Sequence, residues 1–104
     1  MEKINYEIEY SETFKKEIEE VFIYIVKELQ NIIAAENLLQ LVQNAIIKRS
    51  KDPIIYKSFK LKDSGTYNWY RININNYYAL YTVENNVMTM RRFIYKKRNI
   101  NKIF

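Results

Sequence analysis

Residues 5–11 alternate between apolar and polar side chains, and this pattern predicts a half-buried first strand. Tyr6, Ile8 and Tyr10 fall on one side of it, and acidic residues fall on the other. Ser11 follows directly and is predicted to cap a helix, because a serine hydroxyl can accept a hydrogen bond from a first-turn N–H. In the segment that follows, apolar residues recur at helical spacing: Phe14, Ile18, Val21, Phe22, Ile25 and Leu29.

A second apolar stripe of helical period begins a few residues later, and Asn31 is predicted to mark the break between the two. Its members are Ala35, Leu38, Leu39, Val42, Ala45 and Ile46. Asp52 and Pro53 are predicted to end it, since the residue before proline avoids helical geometry. Two adjacent amphipathic helices with a short link predict a helical hairpin.

Three short strands are predicted after Gly65, in "TYNWYRININ", "YYALYTV" and "VMTMRRFIY". Tight turns are predicted at residues 75–76 and 84–86. Strand alternation places Tyr70, Ile72 and Ile74 on one side of the first of these strands, and Met88, Met90, Arg92 and Ile94 on one side of the last. The order of strand, helical hairpin and three-strand antiparallel meander predicts an α+β fold, with the helices packed on one face of the sheet. We expect one domain over residues 1–104.

The amino-acid composition excludes several kinds of catalytic and metal site. The chain lacks both Cys and His, which removes thiol catalysis, disulfides, the commonest general base and the commonest metal ligand. We therefore expect neither a cofactor nor a metal. No apolar run approaches the roughly 20 residues of a membrane span, so we expect a cytoplasmic protein without a membrane partner. The net charge of +5 suits an acidic protein or a nucleic acid as partner, although part of the lysine content is typical of AT-rich coding bias.

The second face of the predicted sheet carries aromatic residues beside cations, among them Tyr67, Trp69 and Arg71. An open face of this kind can stack bases and bind phosphates. The alternative is that these residues form cross-strand pairs that stabilise the sheet without any ligand. The pattern leaves both interpretations open.

The chain as a whole resembles the RelE/ParE toxins of bacterial type II toxin–antitoxin modules. The resemblance begins at "YEIEYSETFKKEIEEVFIYI" and is sharpest in "YRININNYYALYTVENNVMTMRRFIYKKRN". Within that last stretch, the residues that fall on positions of the family's pattern are Arg71, Arg92, Tyr95, Arg98 and Asn99. The resemblance implies a growth-inhibiting toxin that is held inactive by an acidic antitoxin.

The family has two branches with different targets, and the resemblance leaves the branch open. A RelE-like member would be a ribosome-dependent mRNA endonuclease, with Tyr95, Arg98 and Arg71 as the candidate catalytic residues. A ParE-like member would poison DNA gyrase without enzyme activity of its own. Ala79 stands where RelE-like nucleases carry an arginine, which counts against the nuclease. The alternative outside the family is a non-enzymatic nucleic-acid-binding module.

The candidate target-binding or nucleic-acid-binding residues are Arg71, Arg92, Tyr95, Lys97 and Arg98. We expect the end of the last strand to bring several of them to one rim of the open face. Because Arg92 and Tyr95 alternate sides along a regular strand, this needs a bulge or a bend after Ile94. Lys96 and Lys102 are interpreted instead as part of a solvated basic tail.

Overall fold

The computed structural model describes residues 6–61, 65 and 67–97. These residues form two helices and a four-stranded sheet in the predicted order. The elements are β1 (Glu7–Tyr10), α1 (Glu12–Lys27), α2 (Ile32–Arg49), β2 (Trp69–Ile74), β3 (Tyr77–Glu84) and β4 (Val87–Tyr95). The α+β prediction is confirmed, with the helical hairpin packed on one face of the sheet.

Both helices begin at side-chain caps. The backbone N–H of Phe14 donates to Ser11 Oγ at 3.1 Å, and the same hydroxyl donates to the carbonyl of Arg91 at 3.0 Å, which ties the start of α1 to β4. Asn31, predicted as a break, is the N-cap of α2 and accepts from Ala34 N at 3.0 Å. The expectation that Leu29 belongs to the buried stripe is wrong, because α1 ends at Lys27 and Leu29 is 57% exposed.

The sheet has the strand order β1-β4-β3-β2. β1 runs parallel to β4, with Ile8 opposite Met88, whereas the three later strands form the predicted antiparallel meander. The turn between β3 and β4 holds Asn85 and Asn86 at φ values of 49° and 64°. Positive φ at both central residues is the signature of the type I′ hairpin turn, which Asn tolerates well.

A β-bulge in β4 decides which way the later side chains point. Leu80 pairs with Arg92, whereas Tyr81 pairs with Met90, so Arg91 is an extra residue in β4. An extra residue reverses the alternation beyond it. The prediction that Ile94 shares a side with Met90 is therefore wrong. The bulge that the sequence analysis required after Ile94 lies before it.

The main core lies between the helices and the sheet face that carries Met88, Met90 and Phe93. Its other buried members are Phe14, Ile25, Ala35, Leu38, Val42, Ile46, Tyr70, Ile72, Ile74, Ala79 and Tyr81. Ile18, Val21 and Phe22 pack against it while remaining partly exposed. Leu39 was predicted in the buried stripe but is 37% exposed at the edge of the helical hairpin.

The opposite face of the sheet, here called the second face, is partly covered by the chain itself. Phe59 forms an antiparallel bridge with Trp69, with N–H···O distances of 2.8 and 2.9 Å. Leu61, Trp69, Leu80 and Ile94 are buried together there. Trp69 is only 4% exposed, so the expectation that it lies on an open face is wrong.

Arg49, at the end of α2, fastens the following loop to the sheet. Its Nη1 donates to the carbonyl of Arg71 at 3.0 Å and to the Tyr81 hydroxyl at 2.9 Å. The Tyr81 hydroxyl in turn donates to the carbonyl of Pro53 at 2.6 Å. The guanidinium also lies 4.0 Å from the centre of the Tyr56 ring.

Neither described helix is both long enough and apolar enough to cross a membrane.

Candidate functional site

A cluster of two cations around one aromatic ring lies on the uncovered part of the second face. The Arg71 guanidinium sits 5.0 Å from the centre of the Tyr78 ring, and Lys96 Nζ sits 5.4 Å from the same centre. We call Arg71, Tyr78 and Lys96 the basic aromatic cluster. Arg71 is exposed, and Tyr78 and Lys96 are half-buried. Both cations therefore keep access to solvent while the ring helps to hold them in place.

The basic aromatic cluster contains two residues that the sequence analysis did not select. The sequence predicts a solvated tail for Lys96 and assigns no role to Tyr78. For Lys96 the bulge is the reason, since the reversed alternation beyond Arg91 places Ile94, and with it Lys96, on the second face with Tyr78. A sequence pattern read without the bulge assigns this end of β4 to the wrong side.

Arg91 extends the positive charge along the second face. Its Nε donates to Thr82 Oγ1 at 3.0 Å, and its guanidinium lies 5.5 Å from the centre of the Tyr67 ring. Tyr67 is 40% exposed. The second face thus carries a second arginine beside a tyrosine ring, in addition to Arg71 and Tyr78 of the basic aromatic cluster.

Arg92, a predicted binding residue, is held by α1. Its Nε and Nη2 donate to the two carboxylate oxygens of Glu17 at 2.8 and 2.9 Å. The backbone N–H of Phe93 donates to the same carboxylate at 3.1 Å. Both charged side chains are 15% exposed. β1 pairs with β4 from Val87 to Met90. Beyond that pairing, the Glu17 side chain accepts the hydrogen bond from the β4 backbone at Phe93.

Tyr95 lies on the helix-covered side of the sheet, away from Arg71. Its ring centre is 5.8 Å from that of Tyr77, and Tyr77 is stacked on Phe93 of the main core at 4.9 Å. Tyr77 and Tyr78 are neighbours on β3 and point to opposite faces. Tyr95, beside Tyr77, and Arg71, beside Tyr78, are therefore separated by the sheet.

The remaining predicted site residues add less. Lys97 is exposed at the end of β4. Arg98 and Asn99 lie outside the described residues, as does Lys102. Within the part of the chain that the structure describes, no group of three or more carboxylates is placed to hold a metal ion.

An apolar groove lies between α1 and α2 beside the end of β1, with a volume of about 320 Å³. Its walls are formed largely by apolar and aromatic side chains: Tyr10, Phe14, Ile18, Leu39, Val42 and Ile46. It explains why Leu39 and Tyr10 remain partly exposed although they lie in apolar surroundings. Grooves of this kind between amphipathic helices are common sites for a partner helix.

The sequence of the chain also matches a family model, described as the ParE toxin of the type II toxin–antitoxin system parDE, over residues 8–100. The chain belongs to the ParE toxin family. The predicted resemblance is thereby confirmed, and the protein is a toxin of the type II class within the RelE/ParE superfamily.

A solved structure supports the fold of this ParE-family toxin. A chain from the "Chromosomal ParDE TA system from P. aeruginosa" superposes with a TM-score of 0.71 at 9% sequence identity, covering 88% of this chain and 96% of that one. At such low identity the likeness concerns the fold alone. Among curated proteins, no sequence matches.

Proposed function

We propose that this ParE-family toxin poisons DNA gyrase as a binding protein, without enzyme activity of its own, and that it contacts its target through the second face. The observation that carries the proposal is the separation of Arg71 and Tyr95 by the sheet. The match to the ParE branch model adds independent support.

The separation matters because RNA cleavage needs several groups at one phosphate. The 2′-hydroxyl must lose a proton, the leaving oxygen must gain one, and developing charge must be stabilised. Tyr95 as a proton carrier and Arg71 as a phosphate ligand cannot meet at one phosphate from opposite faces. Ala79, in the middle strand, is fully buried and offers no functional group.

The second face is suited to binding an anionic surface. Arg71 and Lys96 flank Tyr78, and Arg91 lies beside Tyr67. Lys97 is exposed just beyond the end of β4. Guanidinium groups can bind carboxylates or phosphates through two hydrogen bonds, and a tyrosine ring can stack on a base. Acidic groups of gyrase and the phosphates of its DNA are both suitable ligands for this face. Arg98 is also proposed to contact the target, because of its place in the family pattern.

The inactive form of the toxin is proposed to be a complex with a cognate acidic antitoxin. The net charge of +5 favours an acidic partner, and the apolar groove on the helical hairpin suits an amphipathic helix. Co-expression with the neighbouring reading frame, followed by affinity purification of the toxin, tests this. A harmless, abundant and monomeric toxin in the absence of any partner would contradict it.

The target is tested by induced expression with parallel readouts of mRNA cleavage, chromosomal DNA breaks and gyrase supercoiling. We expect DNA breaks and loss of supercoiling, with intact mRNA. Arg71→Ala should weaken both effects, whereas Lys27→Ala, which removes an exposed cation from the helical hairpin, should not. Ribosome-dependent mRNA cleavage that disappears in Tyr95→Phe would overturn the gyrase proposal and favour the nuclease branch. Binding to DNA without any growth defect would favour the plain nucleic-acid-binding module.

A further inference from the structure

A cavity of about 490 Å³ opens between α1, the start of β3 and the end of β4. It lies on the side of the sheet away from the basic aromatic cluster. Aromatic rings form much of its wall. Tyr77 is stacked on Phe93 at 4.9 Å with 17° between the rings, and Tyr95 leans against Tyr77 at 5.8 Å and 57°. Tyr24 of α1 also lines the cavity. The volume falls within the range of small-molecule sites, about 300–1,000 Å³.

The charged side chains that line the cavity are acidic, whereas the protein as a whole is basic. The chain carries 17 Lys and Arg against 12 Asp and Glu. Of the described residues that line the cavity, none is Lys or Arg, and two are glutamates. Glu17 is already paired with Arg92, but the exposed Glu20 has no ion pair or hydrogen bond among the described residues. One carboxylate therefore remains available beside the rings.

Aromatic faces beside a carboxylate select one kind of ligand. The face of a tyrosine ring carries negative electrostatic potential and attracts cations, most strongly where water is partly excluded. Three phenol rings meet at this cavity, and burial together with the nearby hydroxyls of Tyr95 and Tyr24 raises the pKa of Tyr77. Tyr77 is thus neutral near pH 7, and it lines the cavity together with the Tyr24 and Tyr95 rings. The rings offer π-faces and hydroxyl groups, while Glu20 supplies the countercharge.

We propose that this cavity binds an organic cation, a guanidinium or alkylammonium group, between the rings of Tyr24, Tyr77 and Tyr95 and the Glu20 carboxylate. The group can be carried by an arginine or lysine of a protein segment or by a free polyamine. Both sources present the same chemistry to the cavity. The site lies on the opposite side of the sheet from the surface assigned to the toxin's target, so the two proposals stand or fall separately.

Titration of the purified toxin with N-acetyl-arginine methylamide and with spermidine, followed by NMR or calorimetry, tests the proposal. N-acetyl-glutamate methylamide serves as the anionic control. We expect saturable binding of at least one cation, with shifts confined to the tyrosine rings of the cavity, and no binding of the anion. Tighter binding of the arginine derivative identifies a protein side chain as the source of the cation, and tighter binding of spermidine identifies a polyamine.

Two matched pairs of variants make the test specific. Glu20→Gln should weaken cation binding about tenfold, whereas Glu19→Gln, which changes an exposed neighbour outside the cavity, should not. Tyr95→Leu should weaken it several-fold, whereas Tyr10→Leu, which removes a ring of the same 40% exposure, should leave it unchanged. Absence of saturable binding, or equal affinities within both pairs, would overturn the proposal. Glu20→Gln changes only an exposed side chain, so it remains informative even if Tyr95→Leu melts early.

Discussion

Replacing Arg92 with alanine is expected to destabilise the fold, although the residue occupies a position of the family pattern that suggested target binding. The guanidinium donates to both carboxylate oxygens of Glu17 at 2.8 and 2.9 Å, and each side chain is 15% exposed. Its removal leaves that carboxylate with the Phe93 N–H as its one remaining donor among the described residues. The cost is therefore more than a lost surface contact.

The magnitude follows from where the pair lies between two limits. Breaking a buried ion pair costs about 3–5 kcal/mol, because one charge is left unpaired, whereas an exposed pair contributes about 0–1 kcal/mol. At 15% exposure the pair is closer to the buried limit, so we expect a loss of about 2–4 kcal/mol in the free energy of unfolding. For a domain of this size, that lowers the melting temperature by roughly 10–20 °C.

Thermal and urea unfolding of Arg92→Ala, Glu17→Ala and the double variant measure this directly. The double-mutant cycle isolates the pairwise term. Arg71→Ala is the control, because an exposed cation contributes little to stability and its variant should melt close to the parent. A coupling energy below about 0.5 kcal/mol, with a normal melt for Arg92→Ala, would refute the argument. Arg92 would then be available to a target, as the family pattern suggests.

Three further predictions concern the core, the cations and the buried phenol. Leu38→Ala should cost about 2–5 kcal/mol in urea unfolding, with toxicity lost only in proportion to folded protein. Arg98→Lys should lower toxicity substantially in growth assays, because lysine lacks the planar guanidinium that binds an anion through two hydrogen bonds. A folded Arg98→Lys variant with full toxicity would contradict this prediction. Lys96→Ala should lower toxicity several-fold, because the structure places Lys96 beside Tyr78. Burial raises the pKa of Tyr81 above 10.0 and outweighs the lowering effect of its Arg49 hydrogen bond. The stability that the neutral Tyr81 phenol contributes is therefore complete below pH 10 and is lost as the pH rises through the raised pKa. Tyr81→Phe should flatten that alkaline loss in pH-dependent melts while costing about 1–3 kcal/mol at neutral pH.

The helices and the first strands could be predicted because each follows one period without interruption. Ser11, as a cap, fixes the start of α1, and Tyr70, Ile72 and Ile74 keep a strict alternation that buries them all on the helix side. Leu29 failed for a local reason. Its spacing continues the stripe, but the helix ends before it, and periodicity alone does not locate a helix end.

The candidate site could be predicted only in part, because its geometry depends on long-range pairing. The bulge at Arg91 leaves no mark in the apolar pattern of β4, yet it reverses every side chain beyond it. The cover over Trp69 comes from Phe59 and Leu61, in a segment without helical or strand periodicity. Neither feature follows from residues close in sequence, and together they decide which aromatic residues remain open to a ligand.

The same bulge separates the side chains of Arg91, Arg92 and Tyr95, which all lie within the five residues of "RRFIY". Arg91 is the extra residue, and it turns to Thr82 and Tyr67 on the second face. Arg92, next to it, reaches Glu17 at the open edge of β4, and Tyr95 reaches the cavity under α1. A regular strand would instead group Arg91 with Tyr95 and leave Arg92 on the other side. One inserted residue thus distributes this short stretch over the second face, a structural ion pair and a separate cavity. Substitutions at these neighbouring positions should therefore affect target binding, stability and cation binding independently, since the three side chains contact different residues of the described chain.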